Sequence, residues 1–233
     1  MALSTKQEAY IHTIKEALLG RLSQKRLLHV YEVENLAIEL AKRYGIDEFN
    51  ARAAALLHDW DKELGTEELL ELANIYELEI DGDPSNIYPL LHAWTGAFSA
   101  MLAFPDFDNE VYLAIYNHTL ACKDMSDLDK LIYCADMLEP SRGIEDLDKL
   151  LKKSKRMSLD ELYVHCYAHT MASLIERRLY IYPPALDIWN DLIEKHPKIR
   201  RPRRKSARVA RRTGDDNPAT KAAKKKKAKK KNK

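Results

Sequence analysis

The stretch from Ser23 to Gly45 reads as a helix with its start and its stop written in. A serine able to cap is followed by His29, Val33, Leu36, Ala37, Leu40 and Tyr44 at helical spacing, and then by a glycine. Such a residue ahead of a periodic run, and glycine behind it, serve the backbone groups that a helix leaves open at its ends. The punctuation recurs down the chain. Asp47 can cap a helix whose C-terminal end carries His58 and Asp59, and further helices fit 66–78, 89–103 and 109–118. Ser126 with Asp129 makes a capping-box pattern opening a helix that Pro140 ends. Ser158 with Glu161 repeats it ahead of a long helix to about residue 180, and a last helix follows Pro183 and Pro184. No segment combines strict alternation with β-branched enrichment, and no Asn-Gly or Asp-Gly pair makes a convincing hairpin turn. The expected fold class is all-α, a helical bundle.

Charge divides the chain in two. From Lys198 onward lie 18 of the 38 basic residues and two of the 36 acids, so this segment carries +16 and residues 1–197 carry −14. A block such as "KAAKKKKAKKKNK" has too little apolar surface to fold. We expect a folded domain over 1–197 and a disordered Lys/Arg-rich tail over 198–233. The tail is either a simple solvated appendage or a weak contact for nucleic acid or another polyanion, driven by counterion release. With 45% hydrophobic residues the body can build a core. Seven glycines with no GxGxxG or Walker-type loop point away from Rossmann and P-loop nucleotide sites. Three cysteines without a CxxC pair suit buried thiols in a reducing compartment. The polar start "MALSTKQEAY" and the lack of a long apolar run imply no signal peptide and no membrane span, hence a cytoplasmic protein.

The chemistry is concentrated in polar residues set into greasy stretches: "RLLHV", "ALLHD", "PLLHAW", "AIYNHT" and "IYCADMLEP". They carry His29, His58, Asp59, His92, His118 and Asp136. Burying such groups costs several kcal/mol unless each finds a partner. Hydrogen bonds among themselves would hardly satisfy all six, whereas a borderline metal suits imidazole and carboxylate together, and two ions could share a carboxylate. Lys62 follows one turn beyond Asp59 and would hold a cation near anything the metals bind. Paired metals beside a cation suit hydrolysis of phosphate esters or anhydrides. His12, His165, His169 and His196 lack such company. His165 and His169 are four apart on a helix, but without the glutamate of an HExxH motif they read as ordinary helix residues.

The order His29, His58-Asp59, Asp136 resembles the H…HD…D signature of the HD-domain metal-dependent phosphohydrolases. Downstream, "LHAWTGA", "HTLACKDMSDLDKLIYCADMLEPSR" and "IYPPALDIWN" look like successive motifs of the YqeK branch, the symmetrical bis(5′-nucleosyl)-tetraphosphatases. The resemblance spans 27–190 and none of the basic tail. It implies an HD-domain bundle in which His29, His58, Asp59 and Asp136 hold a first metal. His92 and His118 would hold a second, with Asp59 bridging or between. Iron comes first among the implied metals, with manganese or zinc as other choices. Asp59 and Lys62 are the implied catalytic residues. Lys62 and Arg142 would bind polyphosphate, Thr119 would hydrogen-bond it, and Tyr182 would help form a nucleoside pocket. Helical geometry adds Arg26, one turn before His29. The implied reaction is symmetrical cleavage of a dinucleoside tetraphosphate into two nucleoside diphosphates. Rival readings are an HD-type nucleotidase, an alarmone hydrolase, or a non-catalytic metal-stabilised module binding RNA or ribosomes. Leu120-Ala121 stands where the family usually has Thr-Gly, Asp61 where a small residue is common, and Ala185 where threonine is common. These departures touch base or phosphate contacts and no metal ligand. Oligomeric state is not legible.

Overall fold

The computed structural model describes residues 3–80, 82–197 and 199. Its helices are α1 (Thr5–Leu19), α2 (Gln24–Tyr44), α3 (Glu48–Leu57), α4 (Thr66–Ile75), α5 (Tyr88–Ala103), α6 (Asn109–Asn117), α7 (Asp127–Leu138), α8 (Glu145–Ser154), α9 (Leu159–Glu176) and α10 (Pro183–Lys195). Short 3₁₀ turns lie at Pro84–Asn86 and Pro140–Arg142. The described residues contain no strand, so the fold is the all-α bundle expected. The expectation of a disordered tail falls, Ile199 apart, outside the described residues.

The caps explain where the helices sit. Ser23 Oγ accepts the Arg26 amide, and Gly45 closes α2 at φ +74°, a conformation that glycine adopts without strain. Asp47 caps α3, and the Ser126–Asp129 and Ser158–Glu161 boxes open α7 and α9. Two ends differ from expectation. Helix α4 stops at Ile75, where Glu77 turns to φ +51°, and α9 stops at Glu176, ahead of Arg178 at φ +57°. Left-handed residues break the helical path before the apolar pattern fades. Helices α1 and α8 were not expected from the sequence. Ser4 and Gln7 cap α1 reciprocally, and Ile11, Ile14 and Leu18 bury its inner stripe.

Helix α3 is the centre of the bundle, packed against α1, α2, α6 and α7. Ala51, Ala53, Ala54, Ala55, Leu56 and Leu57 are wholly buried. A helix apolar nearly all round belongs inside, and the alanines let its neighbours approach closely. Burial of Leu56 or Leu57 stabilises the fold by about 1.5–3 kcal/mol each. The chain leaves this helix still in the core, so His58 and Asp59 emerge at the middle of the molecule. Helix α7 packs on α2 and α9 through residues including Leu131, Ile132, Cys134 and Leu138, and carries Asp136 to the same place. A smaller apolar cluster joins α4, α5 and Tyr182. Among the described residues no helix is long and apolar enough to cross a membrane.

Candidate functional site

At the end of α3 the backbone carbonyls have no helical partner, and one of them takes up a ring. His58 Nδ1 lies 2.7 Å from the Ala55 carbonyl. The same device recurs at the end of α6, where His118 Nδ1 lies 2.6 Å from the Ile115 carbonyl, and in the first turn of α5, where His92 Nδ1 lies 2.8 Å from the Pro89 carbonyl. A carbonyl only accepts, so each Nδ1 carries the proton and each Nε2 presents its lone pair inward. His29, from α2, is oriented instead by a carboxylate: its Nδ1 lies 3.1 Å from Glu139 Oε1.

The four Nε2 atoms converge on two carboxylates. Asp59 Oδ2 faces His58 at 3.3 Å and His29 at 3.5 Å, while its Oδ1 faces His92 at 3.3 Å and His118 at 3.9 Å. Asp136 Oδ1 lies 3.1 Å from His29 Nε2 and 3.8 Å from His58 Nε2. His92 Nε2 and His118 Nε2 are only 3.2 Å apart. With the rings neutral, acceptors therefore face acceptors. The buried Nε2 atoms of His29 and His58 make no hydrogen bond at all. Buried imidazole nitrogens without a donor, as at His29 and His58, are what a cation resolves, and an imidazole–carboxylate mixture suits a borderline divalent metal. The ligand atoms fall into overlapping groups, His29–His58–Asp59, His58–His118–Asp136 and Asp59–His92–His118, each within 4.8 Å.

Protonation follows from the same packing. Burial holds His118 down to about 3, aided by the neighbouring His58 and His92, and burial also lowers His92. Both rings stay neutral and able to ligate. Burial presses His58 down too, but the Asp59 carboxylate, with Asp136 behind it, outweighs burial and raises it. Asp59 and Asp136 both stay ionised: burial pushes each up, and His58 beside Asp59, and His29 and Arg142 beside Asp136, hold them well below the usual carboxylate range.

Cations ring the cluster. Arg26 Nη1 donates to Asp59 Oδ2 at 2.8 Å, and Arg142 donates to Asp136 Oδ1 at 2.5 Å and to its backbone carbonyl at 2.8 Å. Lys62 Nζ lies 3.2 Å from His92 Nε2, and burial lowers its pKa. The Thr119 hydroxyl, next to His118, is buried without a hydrogen-bond partner. A cavity of about 420 Å³ opens beyond it, walled by Tyr88, Leu120, Tyr167, Tyr180 and Tyr182. Tyr182 is buried and tilted against Trp94 with ring centroids 6.1 Å apart. Arg26, Lys62 and Arg142 thus contact the cluster, Thr119 adjoins it through His118, and Tyr182 lies farther off in the cavity that Thr119 also lines.

Glu139 was missed. It is buried at 3% exposure, holds His29 through Oε1 and accepts the Ser141 amide through Oε2. Its only signal was an acid three residues after Asp136 and just ahead of a proline. Carboxylates that orient a ligating imidazole usually matter 10–100-fold. Glu139→Gln is expected to weaken metal binding by about that factor, measured by competition with a chelator. Unchanged affinity would reduce Glu139 to a turn-forming residue.

Residues 26–141 match the HD domain family. The chain is 30% identical to a protein of Bacillus subtilis (strain 168) named symmetrical bis(5′-nucleosyl)-tetraphosphatase, over 74% of this chain and 92% of that one. A relative of the same name from Halalkalibacterium halodurans is 32% identical over 74% of this chain and 91% of its own length. Among solved structures, a Clostridium acetobutylicum protein described as a predicted HD superfamily hydrolase involved in NAD metabolism superposes with a TM-score of 0.74. It is 29% identical and covers 79% of this chain and 97% of that one.

Proposed function

The chain belongs to the HD-domain family, among relatives named symmetrical bis(5′-nucleosyl)-tetraphosphatases, and from that premise we propose that it hydrolyses dinucleoside tetraphosphates at the central anhydride. The products are two nucleoside diphosphates. The observation that carries the reading is the two-sided Asp59 carboxylate, with imidazoles on each oxygen and cations at its edge. In this reading His29, His58, Asp59 and Asp136 hold one metal ion, and Asp59, His92 and His118 hold a second. Iron is the proposed metal, with manganese and zinc as the ions to compare. Bound metal supplies a nucleophile by bringing the pKa of water from 15.7 toward roughly 7, and it neutralises phosphoryl oxygens.

The chain's own residues orient and bind. Asp59 and Asp136 already engage Arg26 and Arg142, so both guanidiniums are stationed where phosphate oxygens arrive. Arg142 suits that task because its fork can bind phosphate in bidentate fashion. Lys62, one turn from Asp59, offers a compact cation to the inner phosphates, and the unpaired Thr119 hydroxyl offers a donor. Tyr182 and the aromatic cavity take one nucleoside. Attack at an inner phosphorus forms one P–O bond to water and breaks the bond to the central bridging oxygen. The departing nucleoside diphosphate carries away that oxygen as an anion that Lys62 and Arg142 offset.

Hydrolysis of diadenosine tetraphosphate is expected to give two ADP, with oxygen from labelled water in one of the two. AMP with ATP would mean attack at an outer phosphorus and would overturn the symmetrical reading. Phosphate released from a monophosphate, with the tetraphosphate intact, would favour the nucleotidase.

We place the enzyme in the cytoplasm, in keeping with three free cysteines. We also propose that the +16 segment from Lys198 makes weak, salt-sensitive contacts with nucleic acid or other polyanions. Deleting 198–233 is expected to leave hydrolysis within about twofold while RNA binding at low salt disappears, read by anisotropy and product assay. Loss of hydrolysis on truncation would put the tail in the active site.

A further inference from the structure

A symmetrical cut imposes a requirement that one nucleoside cavity does not meet. With the two inner phosphates at the cluster, a nucleoside lies two phosphates away on each side of the scissile bond. The substrate must therefore leave the cluster in two directions. The aromatic cavity accounts for one, and no arginine or lysine is among its walls.

A second cavity, of about 330 Å³, opens directly from the cluster, with His118 and Asp136 in its wall. It lies between α7, α8 and α9 and meets the aromatic cavity along Thr119, Thr170 and Leu174. Its size falls within the roughly 300–1,000 Å³ of small-molecule sites. Its chemistry is divided as a nucleotide is divided. Arg142 and Arg177 supply two cations, His169 and Ser173 add polar groups, and Met137, Ile144 and Leu147 make an apolar floor. Arg177 has no salt bridge among the described residues, although its backbone ends α9. Ile144 is 44% exposed at this cavity, which leaves apolar surface there for a base to cover.

We propose that this second cavity holds the other nucleoside diphosphate half of the substrate. Arg177 and His169 grip its phosphate and ribose, and Ile144 and Leu147 support its base. The inference rests on the symmetrical reaction proposed above and adds the binding site that reaction needs. It also gives His169, which lacked ligating company in the sequence, a role in recognition.

The test is a calorimetric titration of ADP into the metal-loaded protein and into its Arg177→Glu variant. Arg177 is exposed, so the variant should fold. Two ADP per chain are expected for the parent and one for the variant. The KM for diadenosine tetraphosphate is expected to rise about tenfold with kcat changed less than about twofold, since the lost contact is made equally in ground and transition states. A single ADP site in the parent, or two sites kept by Arg177→Glu, would overturn the proposal. The underlying reaction has a separate readout. Two ADP sites in a protein that leaves diadenosine tetraphosphate uncut would sink the reaction and leave the second site standing.

Discussion

Asp59→Ala is expected to empty the protein of metal and to cut hydrolysis of diadenosine tetraphosphate to below about 0.1% of the parent, a loss of roughly 4 kcal/mol of transition-state stabilisation. The reason is positional. One oxygen of Asp59 faces His29 and His58 and the other faces His92 and His118, so its carboxylate serves both halves of the cluster. His92→Ala removes a ligand from one half only and is expected to keep about one metal ion per chain, because the His29, His58 and Asp136 side chains remain. His58→Ala and Asp136→Ala should lose metal and turnover together. His12→Ala, on the exposed face of α1, should keep both. Folding should survive in the Asp59 variant, since Arg26, the cation left without its partner, is 29% exposed and reaches water. Metal content by elemental analysis, with circular dichroism as the folding control, decides the matter. An Asp59→Ala protein that keeps its full metal complement would end the two-sided account.

The six cluster residues were legible because each interrupts an apolar stretch. A polar side chain that a helix pattern forces inward must be satisfied, and six such positions cannot be coincidental. Most helix starts were legible for an equally local reason, since Ser23, Asp47, Ser126 and Ser158 all cap as read. Helices α1 and α8 escaped because they bury few residues. Only Ile11, Ile14 and Leu18 of α1 are buried, and only Leu147 and Ser154 of α8, so a mostly polar sequence masks a narrow stripe. Glu139 escaped because its partner His29 lies 110 residues away, and no local pattern encodes that pairing. The second cavity escaped for the same reason, being assembled from three helices that the chain reaches at separate times.

Asp61 shows how a departure from a family pattern can be a local solution. It stands where a small residue is common, yet it is wholly buried. It accepts from Arg21 at 2.5 Å and from Ser99 Oγ at 2.8 Å. Arg21 also donates to the Trp60 carbonyl at 2.6 Å and lies over the Trp60 ring at 4.4 Å. Across the turn Gly96 passes so close that a Cβ there would lie 3.5 Å from the Asp61 amide. The turn carrying His58, Asp59 and Lys62 is thus pinned from α5 and from the end of α1.

Removing one partner of a buried pair leaves a charge that nothing compensates, at a cost of about 3–5 kcal/mol. Arg21→Met is expected near the lower end, about 3 kcal/mol, because the Arg21 side chain is a third exposed and water screens it. Methionine keeps the packing on Trp60, so the loss reports the charge rather than a void. Adding Asp61→Ala to Arg21→Met should recover most of that stability, since the stranded carboxylate goes with its partner. Activity should not recover in parallel. Without the Asp61 contacts the turn that positions Lys62 is less restrained, so the double variant should remain several-fold slower at saturating substrate. Denaturant unfolding of the four proteins in the cycle gives the coupling energy. A loss in the double variant equal to the sum of the two single losses would mean that the pair contributes nothing as a pair, and that the turn is held by packing alone.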